Sequence, residues 1–265
     1  MVFEGWHELP VESIEWCKEA SVGGLDPGEI DLWRIRSDET CYEAPEFLEC
    51  LSAEEKARAD RFRFEKDRRS YRVTHACKRW ILGRYTNVSP FGLRFENGKW
   101  GKPAIQDPLN SFRFNLSHSK GMTLIGITRE VELGVDVESR QSAERMTPIF
   151  ERFASSAEQE WFGQGWEGEM GELMTGWWVS KEAFIKAVGR GLSLPLADFS
   201  VERRSKTEWV LGRIPAEFGS GDDYSLRLLP LGSAHIGAVV CKRRVNILRG
   251  YSAESVLPKM VSALG

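Results

Sequence analysis

Gly134-Val135-Asp136-Val137-Glu138 sets two carboxylates two residues apart inside an apolar run. On a strand both project from one face while Val135 and Val137 enter the core. Such a face suits a hard cation, although a D-x-E triplet by itself also occurs on solvated sheet edges. Trp178-Val-Ser-Lys181-Glu182-Ala-Phe-Ile-Lys186 lies in a helical stretch, where Glu182 and Lys186 are i,i+4 neighbours. They form either a surface ion pair or a functional pair in which Glu182 is a metal ligand or base and Lys186 holds a phosphate. Phe114-Asn-Leu-Ser-His-Ser119 is expected to carry Ser117 and His118 into a polar turn between two strands, where backbone N–H groups, hydroxyl and imidazole can converge on an anion. Gly101-Lys102-Pro103 offers a lysine in a rigid turn. The run from Glu55 to Arg72 holds eight Lys and Arg residues, including Arg58, interleaved with acids, as on a solvated helix surface.

The elements that must position these groups can be read from periodicity. Glu29 to Ile35 alternates like a strand, and Ser52 with Glu55 forms a capping box opening a short helix to about Ala59. A second helix is expected over Lys66 to Tyr85, then strands at Leu93–Glu96, Ser111–Asn115 and Met122–Thr128, which completes one α/β unit. A further strand (Leu133–Glu138), helices near Pro148–Phe162 and Gly176–Val188, and four strands between Phe199 and Cys241 make a second unit. The fold class is therefore mixed α/β (α+β), with an N-terminal extension over 1–28, subdomains over 29–130 and 131–245, and a C-terminal tail over 246–265. The glycines of Gly163 to Gly176 suggest a mobile loop, and the adjoining Trp161, Phe162 and Trp166 are either partner anchors or core residues.

Composition narrows the function. With 42% apolar residues, including ten Trp and fourteen Phe, the 265-residue chain can fill a large core. Thirty-six basic against 39 acidic residues leave a charge of −3, so no global basic field points to nucleic acid or a membrane surface, and any anion site must be local. The five cysteines are odd in number and contain no C-x-x-C pair, which argues against a disulfide framework or a thiolate metal site. Acids stand where a signal peptide needs a basic region, and the longest apolar stretches are too short to span a bilayer, so a soluble cytoplasmic protein is expected.

Taken in order, G-K-P, F-N-L-S-H-S, G-V-D-V-E, R-F-A-S-S-A-E-Q, W-V-S-K-E-A-F-I-K and G-R-G-L-S-L-P-L closely resemble the signature series of the Sfp-type 4′-phosphopantetheinyl transferases, and the likeness runs from about Leu51 to Val201. The resemblance implies a monomeric pseudo-dimer, two similar subdomains that are each a small sheet packed with helices, with the active site in the cleft between them. It further implies Mg²⁺ on Asp136, Glu138 and Glu182, and coenzyme A as substrate, its pyrophosphate on Lys186 and its nucleotide end on Lys102, Ser117 and His118. Arg58 is the candidate for a further phosphate contact, and an apo acyl or peptidyl carrier protein is the implied partner. Glu182 and Lys186 would be catalytic. Ala154 replaces a usual phenylalanine, and Glu55 stands where some members carry a basic residue. The alternative is a non-catalytic coenzyme A or carrier-protein binding module of the same fold. An acyltransferase is disfavoured, because the motifs gather where phosphates would bind and not at a thiol.

Overall fold

The computed structural model describes residues 14, 16–17, 25–38, 42, 45–106, 111–141, 143–163, 170–205, 208–255 and 257. The first half contains β1 (Trp16–Cys17), β2 (Glu29–Arg36), α1 (Pro45–Leu48), α2 (Ala53–Ala59), α3 (Glu65–Thr86), β3 (Phe95–Asn97), β4 (Pro103–Ile105), β5 (Phe112–Ser119) and β6 (Met122–Arg129). The second contains β7 (Leu133–Ser139), α4 (Ala143–Phe153), α5 (Ser156–Gly163), α6 (Met170–Ala187), β8 (Val201–Arg203), β9 (Trp209–Leu211), β10 (Ser225–Leu231), β11 (His235–Cys241) and finally β12 (Ile247–Ser252).

Strand alternation sorts these elements into four layers: helix, sheet, sheet, helix. The larger sheet has the order β1-β12-β2-β6-β5 and the second β10-β11-β7, while β3-β4 and β8-β9 are two-stranded sheets. Trp33, Ile35, Ile125 and Ile127 pack outward against Val73, Cys77, Trp80 and Ile81, which recur at helical spacing on α3. Their alternates Ile30, Leu32 and Leu124 face inward and meet Val135, Val137, Leu229 and Val239 of the second sheet. On its far side, Ile236, Ala238 and Val240 cover Trp177 and Phe184 of α6. Each of the two larger sheets is thus buried on both faces over much of its area. That accounts for β6, whose positions from Met122 to Thr128 are all buried.

The capping box is present: Ser52 Oγ accepts from the Glu55 backbone N–H, and Glu55 Oε2 accepts from that of Ser52. The sequence reading makes 246–265 a tail, but Ile247–Ser252 forms β12, a parallel strand between β1 and β2 in the first sheet. Tyr251 stacks on Trp33 at 4.7 Å, and Arg249 donates to Asp31 and Glu29. The first subdomain is therefore completed by the end of the chain, and Arg249 interrupts the apolar pattern because its partners lie 218 and 220 residues away. Of the extension, Trp16–Cys17 adds an edge strand and Leu25 is fully buried.

The helix expected over Pro148–Phe162 is two helices, α4 and α5, and Met170–Gly176 of the expected loop belongs to α6. Phe162 is 7% exposed, with its ring 4.4 Å from that of Phe150. It is a core residue; Trp166 lies outside the described residues. Cys50 and Cys241 are free thiols, and among the described residues no helix is long and apolar enough to cross a membrane.

Candidate active site

The seam between the subdomains runs along β5 and β7. Alternation on β5 turns Asn115, Ser117 and Ser119 toward β7 and sends Leu116 and His118 to the other face, since successive strand residues point oppositely. Asn115 Oδ1 accepts from the Val135 backbone N–H at 2.9 Å, Ser117 Oγ donates to Asp136 Oδ1 at 2.7 Å, and Ser119 Oγ donates to Glu138 Oε2 at 2.7 Å. Asp136 and Glu138 share one face of β7, while Val135 and Val137 are fully buried between the sheets.

Helix α6 lies directly on that face. A methyl at Gly134 would run into the carbonyl oxygen of Ala183, the amide nitrogen of Ala187 and the carbonyl carbon of Lys186, so only glycine lets the helix backbone come this close. The approach brings Lys186 Nζ to 2.6 Å from Asp136 Oδ1 and 3.0 Å from Ser117 Oγ. Glu182, one turn earlier, has its pKa raised to about 7, chiefly by burial and then by the Asp136 carboxylate, with Lys186 opposing. At neutral pH it can take up or release a proton.

Three hard oxygen donors belong to this face, and Asp136 Oδ2 is buried without a hydrogen-bond partner. An orphaned carboxylate oxygen beside a carboxyl whose proton is held by burial and then by the neighbouring negative charge fits the hard oxygen donors that a divalent cation of the Mg²⁺ type prefers. Among the described residues no three His, Cys, Asp or Glu side chains are gathered around one metal position. Here Lys186 neutralises Asp136.

The other expected residues divide between two cavities. Arg58 and His118 line a cleft of about 1360 Å³ whose wall also includes Tyr71, His75, Lys78, Gly101 and Pro103. Burial pushes the His118 pKa down, and Lys186 adds to this. Lys102 instead lines a separate cavity of about 600 Å³ with Trp100, Phe112 and Tyr224. Its Nζ donates to Glu132 Oε2 at 2.5 Å and to the carbonyls of Leu133 and Ala187 at 2.9 and 3.4 Å. Thus Ser117 is brought to the carboxylates, His118 to the basic cleft, and the Lys102 side chain to neither. Ser117 and His118 also sit within β5, with the turn at Lys120 and Gly121, because pairing with β6 continues to Ser119–Met122.

Sequence reasoning missed Ser119, which the 115, 117, 119 spacing could have revealed, and the Tyr71–His75 pair, an i,i+4 stack at 4.0 Å in the cleft. Glu55 is structural as well as cleft-lining. Burial alone would raise its pKa, but His75, Lys78 and Arg79 hold it far below the usual carboxylate range.

Comparison with known proteins gives two family models in tandem. One described as "4′-phosphopantetheinyl transferase, N-terminal" matches residues 38–128, and one described as "4′-phosphopantetheinyl transferase superfamily" matches residues 132–234. The chain is 30% identical over 167 residues to 4′-phosphopantetheinyl transferase HetI of Nostoc sp., covering 62% of this chain and 70% of the relative. It is 34% identical over 166 residues to 4′-phosphopantetheinyl transferase psf-1 of Bacillus pumilus, covering 62% and 69%. To 4′-phosphopantetheinyl transferase Sfp of Bacillus subtilis it is 31% identical over 155 residues, covering 58% and 67%.

Proposed function

Since the chain belongs to the 4′-phosphopantetheinyl transferase superfamily, we propose that it transfers the 4′-phosphopantetheine group of coenzyme A to a serine of an apo acyl or peptidyl carrier protein. Adenosine 3′,5′-bisphosphate is the other product. The observation that carries this reading is the meeting of Asp136, Lys186 and Ser117 within 3.0 Å of one another, one turn of α6 from a carboxyl with a pKa of about 7.

Asp136, Glu138 and Glu182 would hold Mg²⁺, which when bound supplies neutralisation of the diphosphate oxygens. Glu182 takes the proton of the carrier serine, directly or through a water. The serine oxygen forms its bond to the β-phosphorus as the bond to the bisphosphate leaving group breaks. Lys186 donates to the phosphoryl oxygens as charge develops on them, in a site whose partial burial strengthens that interaction. Arg58 and His118 take the 3′-phosphate in the basic cleft, where a side chain aimed away from the carboxylates is free to serve the distant end of the substrate. With the two subdomains standing in for two subunits, the protein acts as a cytoplasmic monomer that needs neither nucleic acid nor membrane.

A non-catalytic binding module would need the cleft but not the carboxylate–lysine constellation, which counts against that reading. The test is incubation with a panel of apo carrier proteins, coenzyme A and Mg²⁺, followed by intact-mass measurement. A phosphopantetheine mass gain on any carrier is the expected result. No gain on any carrier would overturn the reading.

A further inference from the structure

Lys181 precedes Glu182 and is fully buried, about 100° around the helix from it. Its ammonium has three N–H donors and uses all of them: Glu158 Oε2 at 2.8 Å, the Leu196 carbonyl at 2.6 Å and the Phe199 carbonyl at 2.8 Å. Glu158 is 1% exposed and equally occupied, accepting from the Ser155 backbone N–H at 2.7 Å, Ser155 Oγ at 2.9 Å and the Val201 backbone N–H at 2.7 Å. The pair therefore joins α6 to the start of α5 and to the segment leading into β8. Two sequence stretches that the reaction leaves unexplained, around Ser155–Glu158 and around Leu194–Leu196, converge on it.

What this junction can do follows from the character of α6. Between Trp178 and Ala187 only Trp178, Glu182 and Lys186 escape burial, at i, i+4 and i+8 on one narrow stripe. The helix is otherwise enclosed by apolar groups, so no broad polar face sets its rotation about its own axis. A saturated buried polar junction does set it, because turning the helix would strand a charge and several hydrogen-bonding groups in the core.

We propose that the Lys181–Glu158 pair is a rotational clamp on α6, a positioning device that keeps Glu182 and Lys186 turned toward Asp136 and Glu138 at the β5–β7 seam. The inference rests on the transferase reading given above. Lys181 touches no reacting group and acts only through its neighbours.

The test compares wild type with Lys181→Met/Glu158→Gln, which removes both charges and keeps one acceptor oxygen, for either Ser155, which donates to Glu158 Oε2, or Val201, which donates to Oε1. Exchange of a whole buried pair need not destabilise a protein, so Tm is expected to stay within about 5 °C of wild type. Turnover at 15 °C is expected to fall about 10- to 100-fold, as for a displaced catalytic group. Adding Glu182→Gln to the pair variant should give a total loss smaller than the product of the two separate losses, the signature of changes that act in part through the same residue, with misplaced Lys186 accounting for the remainder. A turnover within about twofold of wild type, or a full further multiplicative loss in the triple variant, would reduce the pair to a stabilising contact and overturn the clamp. If the pair variant does not fold, Glu158→Gln alone carries the same comparison, since Lys181 keeps both carbonyl acceptors. If the wild type transfers nothing to any carrier, the function fails instead. Mn²⁺ affinity, measured by water-proton relaxation, then reads the clamp, with about a tenfold weakening in the pair variant expected and unchanged affinity overturning it.

Discussion

Lys186 Nζ lies 2.6 Å from Asp136 Oδ1, and the Asp136 side chain is only 6% exposed against 26% for Lys186. The carboxylate depends on this cation, and the cation reaches it only because α6 rests on Gly134.

Replacing Lys186 with Met should therefore reduce both stability and turnover. Leaving a buried carboxylate without its charged partner costs about 1–3 kcal/mol, and loss of a transition-state donor about 10²–10³ in kcat. Urea unfolding and steady-state transfer kinetics check the two parts. In Lys186→Met/Asp136→Asn the stability loss should be largely recovered and the turnover should not.

The raised pKa of Glu182 has consequences of opposite sign for rate and stability. As a base it must be deprotonated, so turnover should rise with pH and then level off, and a cation on the same carboxylates would move that rise below the value of about 7 that holds for the metal-free site. For stability, the folded pKa of about 7 exceeds the ordinary value of 4.5. Between these values the native state binds more protons than the unfolded state, so the metal-free protein loses stability as pH rises through that window. Glu182→Gln in EDTA should be on the order of 2–3 kcal/mol more stable than wild type at pH 8. Relative to wild type, that advantage should disappear near pH 4.5. Denaturant titrations at the two pH values measure this difference.

Gly134→Ala tests the close approach of strand and helix. The added methyl meets backbone atoms of Ala183, Lys186 and Ala187, which cannot rotate away. Overpacking of this kind costs about 1–3 kcal/mol. Turnover should fall further than stability, because the displaced helix carries Glu182 and Lys186. Thermal melts beside kcat show whether the two losses separate.

His118→Ala and Arg58→Ala should each weaken binding of coenzyme A about tenfold, the loss of one charge-assisted contact, and leave dephospho-coenzyme A nearly unaffected. Both side chains line the basic cleft, and His118 lies on the face of β5 opposite Ser117. Lys102→Met is expected to affect the two ligands alike, since its ammonium is held by Glu132 and two carbonyls. Isothermal titration with the two ligands distinguishes these outcomes.

Local pattern was enough to read the capping box of Ser52 and Glu55, the common face of Asp136 and Glu138, and the i,i+4 relation of Glu182 to Lys186, because each depends on the period of one element. The ordered motifs carried the family. Contacts between elements decided the rest. Whether Ser117 or His118 meets Asp136 depends on where β5 ends, and that end is set by pairing with β6 and not by the polar residues at the strand's tip. β12 joins the first sheet because Arg249 and Tyr251 find Asp31 and Trp33 more than two hundred residues away. Lys102 is drawn from the cleft by the Glu132 side chain and the Leu133 and Ala187 carbonyls, all from the second subdomain. Lys181 and Glu182 are adjacent in the chain, yet one is sealed in the core and the other is poised at the seam. The helix period separates them by about 100°, but only the packing of α6 against β7, α5 and the segment before β8 determines which of the two faces inward.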